Sequence, residues 1–371
     1  MLNHNVLHKK KILIVTSEFP PQPGGIGNHA YYLALYLAKN GYAVTVIADQ
    51  RDVANVEEMT FDAGLPFVVE RIPLKKQRVL MYFNRIRKTF DHFKNVDYVI
   101  ATGKFSLWNV AFCSLFYKRQ TIAVIHGSEV NFKSAGIRKA IDASLNRFDT
   151  IVAVSDYTAQ LVAHLELDIH VIANGIDLEK WQTEKVEKIV LKGNPILTTV
   201  GRVSTRKGQL QVIKLLPELL KSYPELQYHC VGIPTEAADF MEVAKKLHVS
   251  NHVIFHGAVS DAELQSVLMA SDVFVMLSTE SDTGDVEGFG IAILEANALG
   301  LPAIGSTNCG IEDAIHPEVS GFLVSNKDVI AFSTALNELL NNKELYKVQA
   351  RHWAEQHDWN LIIKHYISHL L

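Results

Sequence analysis

Cysteine is scarce, and the three that occur, Cys113, Cys230 and Cys309, lie far apart with no CxxC pair. Neither a disulfide framework nor a cysteine zinc site is therefore expected, and a reducing, cytoplasmic setting suits the chain. Long apolar runs are missing too. The polar, basic stretch Met1–Lys11 is followed only by the short apolar run Ile12–Val15, too short for the core of a secretory leader. Nowhere does an apolar run approach the roughly 18 residues of a spanning helix. Strong net charge is also absent: 36 Lys+Arg against 40 Asp+Glu leave −4, which gives no overall attraction to nucleic acid. The charge is instead divided along the chain, with 21 basic and 17 acidic residues up to position 180 and 15 and 23 after it.

What is present fits a folded α/β protein. With 371 residues the chain exceeds the length at which one hydrophobic core usually keeps growing, so two domains are expected. Short β-branched runs alternate with stretches of helical period from end to end, a pattern that predicts parallel sheets covered by helices. The first series of strands is Lys11–Thr16, Ala43–Ala48, Tyr98–Ala101, Thr121–His126, Thr150–Val154 and His170–Ile172. The second is Ile196–Val200, Gln227–Val231, Val253–His256, Val273–Leu277 and Pro302–Ile304. A helix Ile26–Lys39 gathers Ile26, Ala30, Leu33, Ala34 and Leu37 on one face and stops at Asn40-Gly41. Another opens at Asp261, and a third spans Glu287–Ala298. The polar segment Asp177–Gly193 separates the series, which places the domains at 1–183 and 184–354. The tail 355–371, with Trp359, Ile362 and Tyr366, either caps the second domain or crosses back to complete the first; crossing back is the expectation adopted.

Three segments carry chemistry. Gly25-Ile-Gly27-Asn-His-Ala30 matches a dinucleotide fingerprint, and Asp49 falls where a ribose-binding carboxylate would sit. Eight residues, Ser17 to Gly24, three of them proline, separate the strand from Gly25, which is too long for a dinucleotide turn. A glycine loop feeding a helix still offers backbone N–H groups to a ligand. Gly201-Arg202 and Arg206-Lys207-Gly208 follow a strand end, and a fork beside a point charge can neutralise a diphosphate. The strongest signal is Glu287-Gly-Phe289-Gly290-Ile291 leading to Glu295, two glutamates eight apart at a glycine-rich helix entry. The apolar neighbours Ile293, Leu294, Ala296 and Ala298 argue against Glu295 as a mere surface residue, whereas Glu280, Asp282 and Asp285 read as a solvated loop.

This last segment resembles the E-x7-E signature of retaining glycosyltransferases of family 4. The order of motifs is similar throughout: the Pro-rich glycine loop, His126-Gly-Ser-Glu129, Asn174-Gly-Ile-Asp177, Gly201-Arg202 and Arg206-Lys207-Gly208. The resemblance implies the GT-B fold, two Rossmann-like doubly wound domains facing a central cleft, with the acceptor on the N-terminal side and the nucleotide sugar on the C-terminal side. It implies that Arg202 and Lys207 clamp the donor diphosphate, that Glu287 holds the transferred sugar, and that the amides of Phe289, Gly290 and Ile291 support sugar and phosphate. By the same resemblance Glu295 accepts the ribose hydroxyls, Val259 meets the base through its backbone, Gly25 and Gly27 approach the diphosphate, and His126 lines the sugar site. No Asp-x-Asp occurs anywhere, so no metal or other cofactor is expected, and cationic side chains with helix N-termini take its place.

The form of this segment looks most like the bacterial phosphatidylinositol mannosyltransferases, which implies GDP-mannose as donor and a lipid-linked or glycan acceptor. A UDP-sugar transferase, a sugar-nucleotide epimerase, an NAD(P)-dependent oxidoreductase and a non-catalytic sugar-binding protein are the competing readings. Between Pro73 and Lys94, seven cations meet one acid, Asp91, interleaved with Leu80, Met81, Tyr82, Phe83, Ile86, Phe90 and Phe93. Such a basic amphipathic helix suits an anionic membrane surface, which makes a peripheral position on the inner face of the membrane the expectation.

Overall fold

The computed structural model describes residues 9–370; residues 1–8, and with them most of the basic N-terminal stretch, and residue 371 at the end of the tail lie outside the described residues. The described chain divides into two compact units. One comprises everything up to Val154, Thr158–Ile172 and the stretch from Trp359 on; the other comprises Ser155–Tyr157 and Ala173–Asp358.

The first unit is built on a seven-stranded parallel sheet: β1 (Lys11–Thr16), β2 (Ala43–Asp49), β3 (Val68–Ile72), β4 (Tyr98–Thr102), β5 (Gln120–Ile125), β6 (Thr150–Ala153) and β7 (Ile169–Val171), in the order β3-β2-β1-β4-β5-β6-β7. The inner strands read as unbroken apolar runs because both faces are covered; Ile12, Leu13, Ile14 and Val15 are all fully buried. The second unit has six parallel strands, β8 (Ile196–Val200), β9 (Gln227–Val231), β10 (Val253–Gly257), β11 (Val273–Met276), β12 (Ala303–Ser306) and β13 (Gly321–Val324), in the order β10-β9-β8-β11-β12-β13. In each sheet the winding reverses beside the first strand, between β1 and β4 and between β8 and β11. Crevices beyond the carboxyl ends of strands at such points are where ligands bind in this class of sheet.

Eleven strands fall where the sequence predicts them, within two residues at either end. The two not predicted, β3 and β13, are the sheet ends. The middle of β3 is Glu70-Arg71, charges that an inner strand could not carry, and β13 is four residues long and starts on Gly321. The helix predicted from Glu287 begins instead at Ile291, because Gly290 takes a left-handed conformation, φ 89°, and stops the helix from extending backwards. The tail crosses back: its helix, Trp359–Ser368, lays Trp359 on the helix Gly25–Lys39, with ring centroids 6.1 Å from Tyr32 and 6.0 Å from Tyr36. Among the described residues no helix is long and apolar enough to cross a membrane.

Candidate functional site

In the second unit the reversal point is flanked by the loops 201–208 after β8 and 277–290 after β11. They are brought together by a glycine. Gly208 has φ 82°, and a Cβ on it would lie 2.0 Å from the Leu277 carbonyl oxygen, so no other residue fits there. The Thr279 N–H then donates to the Arg206 carbonyl at 3.1 Å and its hydroxyl to the Thr205 carbonyl at 2.9 Å. The result is a cationic pair on one carboxylate: Arg206 Nη1 and Lys207 Nζ stand 2.5 and 2.7 Å from the same Oε2 of Glu287. From the other side, Gly310 N–H donates to the Glu287 carbonyl at 2.9 Å. Burial alone would raise the Glu287 carboxyl, but Lys207 and Arg206 hold it down at about 2.

The other residues expected on the donor side belong to the same unit. Phe289 is buried, Gly290 precedes the helix Ile291–Ala298, and no side chain caps the first turn of that helix, where the Ile293 N–H donates to the Gly290 carbonyl at 2.9 Å. Glu295 is half-buried; burial pushes its carboxyl up to about 7, against the pull of Lys180 and Lys207 and with the help of Asp261. Val259 lies between β10 and the helix Asp261–Met269, whose entry Ser260 and Glu263 close as a capping box. Arg202 is exposed, makes no ion pair among the described residues, and offers its backbone carbonyl to the side chains of Ser204 and Gln209. The turn Thr205–Lys207 carries Arg206, rather than Arg202, to Glu287. The sequence offers Arg206 as part of a basic motif, but the clamp implied by the resemblance is given to Arg202 and Lys207 alone. A polar cavity of ≈ 200 Å³ adjoins Glu287, lined by Tyr157, Ser278, Thr279, Asn308 and Asn326 among others.

In the first unit His126 follows β5. Its Nε2 is 2.8 Å from the Thr102 hydroxyl at the end of β4, and its backbone N–H donates to the Glu129 carboxylate. Burial holds the imidazole down at about 3, so it is neutral. Burial likewise pushes the Glu129 carboxyl up to about 7, opposed by the backbone N–H groups of His126 and Glu129 and by Lys104. The two glycines of the loop differ. A side chain on Gly25 would meet nothing, whereas one on Gly27 would press on the backbone of Phe19 and Glu18 at 3.1 and 3.2 Å. Gly27 therefore packs the helix against its own entry loop, and Gly25 faces open space. Asp49 is not free to hold a ribose, because Arg85 of the helix Arg78–Phe93 takes both its carboxylate oxygens. Beside it opens a cavity of ≈ 340 Å³ lined by Ser17, Glu18, Gln50, Arg51, Leu74 and Met81 as well as Asp49. The fingerprint thus lacks both its short loop and its ribose carboxylate, which removes the support for a nicotinamide cofactor. Among the described residues no group of three or more His, Cys, Asp or Glu side chains is placed to hold a metal ion.

Comparison with known proteins identifies the two halves separately. Residues 182–355 match the family model "Glycosyl transferases group 1", and residues 23–180 match "Glycosyltransferase Family 4". A GDP-mannose-dependent alpha-(1-6)-phosphatidylinositol monomannoside mannosyltransferase of Mycolicibacterium smegmatis is 26% identical, over 92% of this chain and 93% of the relative. A glycogen synthase of Mycobacterium tuberculosis is 24% identical over 92% and 88%. Among solved structures, Anabaena HepE in complex with UDP superposes with a TM-score of 0.77 at 19% identity, covering 97% of this chain and 99% of that one.

Proposed function

Because the chain belongs to the family 4 glycosyltransferases, with the GT-B fold and hexosyltransferase activity, we propose that it transfers its hexose with retention of configuration and without a metal ion. In this reading the donor is a nucleoside diphosphate sugar, GDP-mannose by preference, and the acceptor is lipid-linked or a glycan. The observation that carries the reading is Glu287 with Arg206 and Lys207 at 2.5 and 2.7 Å, at the reversal point of the second sheet.

The chemistry follows from those charges. A diphosphate leaving group needs cations where its charge develops, and Lys207, with Arg202 and Arg206 on the same loop, supplies them together with the uncapped helix start at Ile291. Glu287, held at about 2 by two cations, is a poor nucleophile and a good acceptor for sugar hydroxyls. Retention therefore comes from reaction on one face. The bond from the sugar's anomeric carbon to the phosphate oxygen breaks, that oxygen takes the proton of the acceptor hydroxyl, and the acceptor oxygen bonds to the same face. His126, being neutral and fixed through Nε2 by Thr102, offers its ring as a hydrogen-bonding wall rather than as a charge.

The name of the mycobacterial relative supports mannose from GDP-mannose, and the UDP held by the Anabaena protein keeps a UDP-sugar as the second reading. The exposed basic and apolar face of the helix Arg78–Phe93 supports a peripheral position on an anionic leaflet. The clamp is tested by nucleotide release from GDP-mannose and UDP-glucose. Lys207→Ala should lower turnover by about 10²- to 10³-fold, and Arg202→Ala should also lower it. Unchanged turnover in both variants would overturn the mechanism.

A further inference from the structure

Two polar rings sit where helix packing requires none. His29, in the helix Gly25–Lys39, and Tyr366, in the helix Trp359–Ser368, are 1% and 0% exposed, and His29 Nε2 lies 3.0 Å from the Tyr366 hydroxyl. Apolar residues of the same shape would join these helices without desolvating an imidazole and a phenol, a cost that is offset only when the groups find partners. On its other side His29 meets His126 edge to face, with centroids 4.9 Å apart and planes at 76°. The indole of Trp359 closes a third side at 5.5 Å. His126 is thus gripped between the Thr102 hydroxyl, at 2.8 Å, and the His29 ring.

Burial, with a smaller contribution from the neighbouring His126, keeps His29 neutral, so it carries one N–H. Which nitrogen carries it depends on the Tyr366 hydroxyl, because Nδ1 has no hydrogen-bond partner among the described residues. When the phenol donates to Nε2, the proton sits on Nδ1; without the phenol the two tautomers are no longer distinguished, and the contact with His126 changes with them.

We infer that Tyr366 is a positioning residue: through His29 it fixes the orientation of His126, so that the last helix of the chain serves the site of this unit and not only its packing. The inference rests on the reading that His126 lines the reaction site. Tyr366→Phe keeps the ring and removes only the hydroxyl.

The test combines nitrogen-15 histidine spectra with nucleotide release from GDP-mannose. The expected result is that Tyr366→Phe moves the ring resonances of both His29 and His126 and lowers kcat by about tenfold, a fraction of what a misplaced site group can cost, with the donor KM unchanged. In a His29→Phe background Tyr366→Phe should have no further effect, because the path is broken. Unmoved His126 resonances, or a Tyr366→Phe effect that persists in full without His29, would overturn the inference. Failure of the underlying reading looks different: His126→Ala would then retain full turnover, or wild-type enzyme would release no nucleotide while the spectra still answer the positioning question.

Discussion

Glu287 and Glu295 are eight residues apart and have been driven in opposite directions. Glu287 faces two cations and is held at about 2; Glu295 is half-buried, makes no ion pair among the described residues, and is pushed up to about 7. The two therefore act on stability with opposite signs. Glu287, depressed below its unfolded value of about 4.3, contributes stability that is present above that pH and lost as pH falls toward 2. Glu295, raised above that value, contributes stability that is complete below about pH 4.3 and lost as pH rises through 7. A donor whose ribose hydroxyls donate to Glu295 needs the carboxylate, so binding below pH 7 must displace a proton. The donor KM should then rise by up to about tenfold for each pH unit below 7, and Glu295→Gln should bind more weakly but without that slope. A Gln variant with the wild-type slope would remove Glu295 from the donor site. The positions of both glutamates were legible in the spacing, but their charges were not. Glu287 is set by the approach of Arg206 and Lys207 through Gly208, a contact between two loops far apart in sequence, and Glu295 by its burial.

At the scale of elements, the helix Arg78–Phe93 shows how far a charge count can be read. The stretch read as seven cations against one acid, yet Arg85 turns inward to Asp49 and both Lys88 and His92 turn to Glu70, at 3.0 and 2.7 Å. These partners sit on β2 and on β3, and β3 was not predicted, so the pairing was not visible in the sequence. What remains outward is Lys75, Lys76, Arg78, Arg87 and Lys94, beside Val79 at 74%, Leu80 at 48% and Phe83 at 64% exposure. Phe112, Leu115 and Phe116 add exposed apolar surface, with Phe116 against Phe90 of this helix at 5.5 Å. On the proposed membrane reading, this face would meet anionic lipid by charge and by shallow insertion. In liposome sedimentation the protein should pellet in proportion to the anionic lipid fraction and be released by salt, and glutamate at positions 75, 76 and 78 should abolish pelleting. Pelleting independent of anionic lipid would contradict the membrane reading.

Across the whole molecule the fold was the most legible property. Eleven of the thirteen strands follow from apolar period and turn residues, because a buried parallel sheet demands unbroken apolar strands, whereas the apolar pattern of the tail was equally compatible with capping the second domain or crossing back to the first. The family followed from the order of motifs, and the models matching residues 23–180 and 182–355 establish it. The donor was the least legible, because a base met through backbone groups, as the resemblance implies at Val259, leaves almost no trace in side chains.

The most direct measurement is thermal unfolding with GDP-, UDP- and ADP-sugars and with NAD(P)H, each repeated in EDTA, on wild type and Lys207→Ala. The account predicts stabilisation by one class of nucleotide sugar, GDP-mannose by preference, unaffected by EDTA and lost in Lys207→Ala. Stabilisation by NAD(P)H alone, or by a nucleotide sugar only while a metal is present, would contradict it.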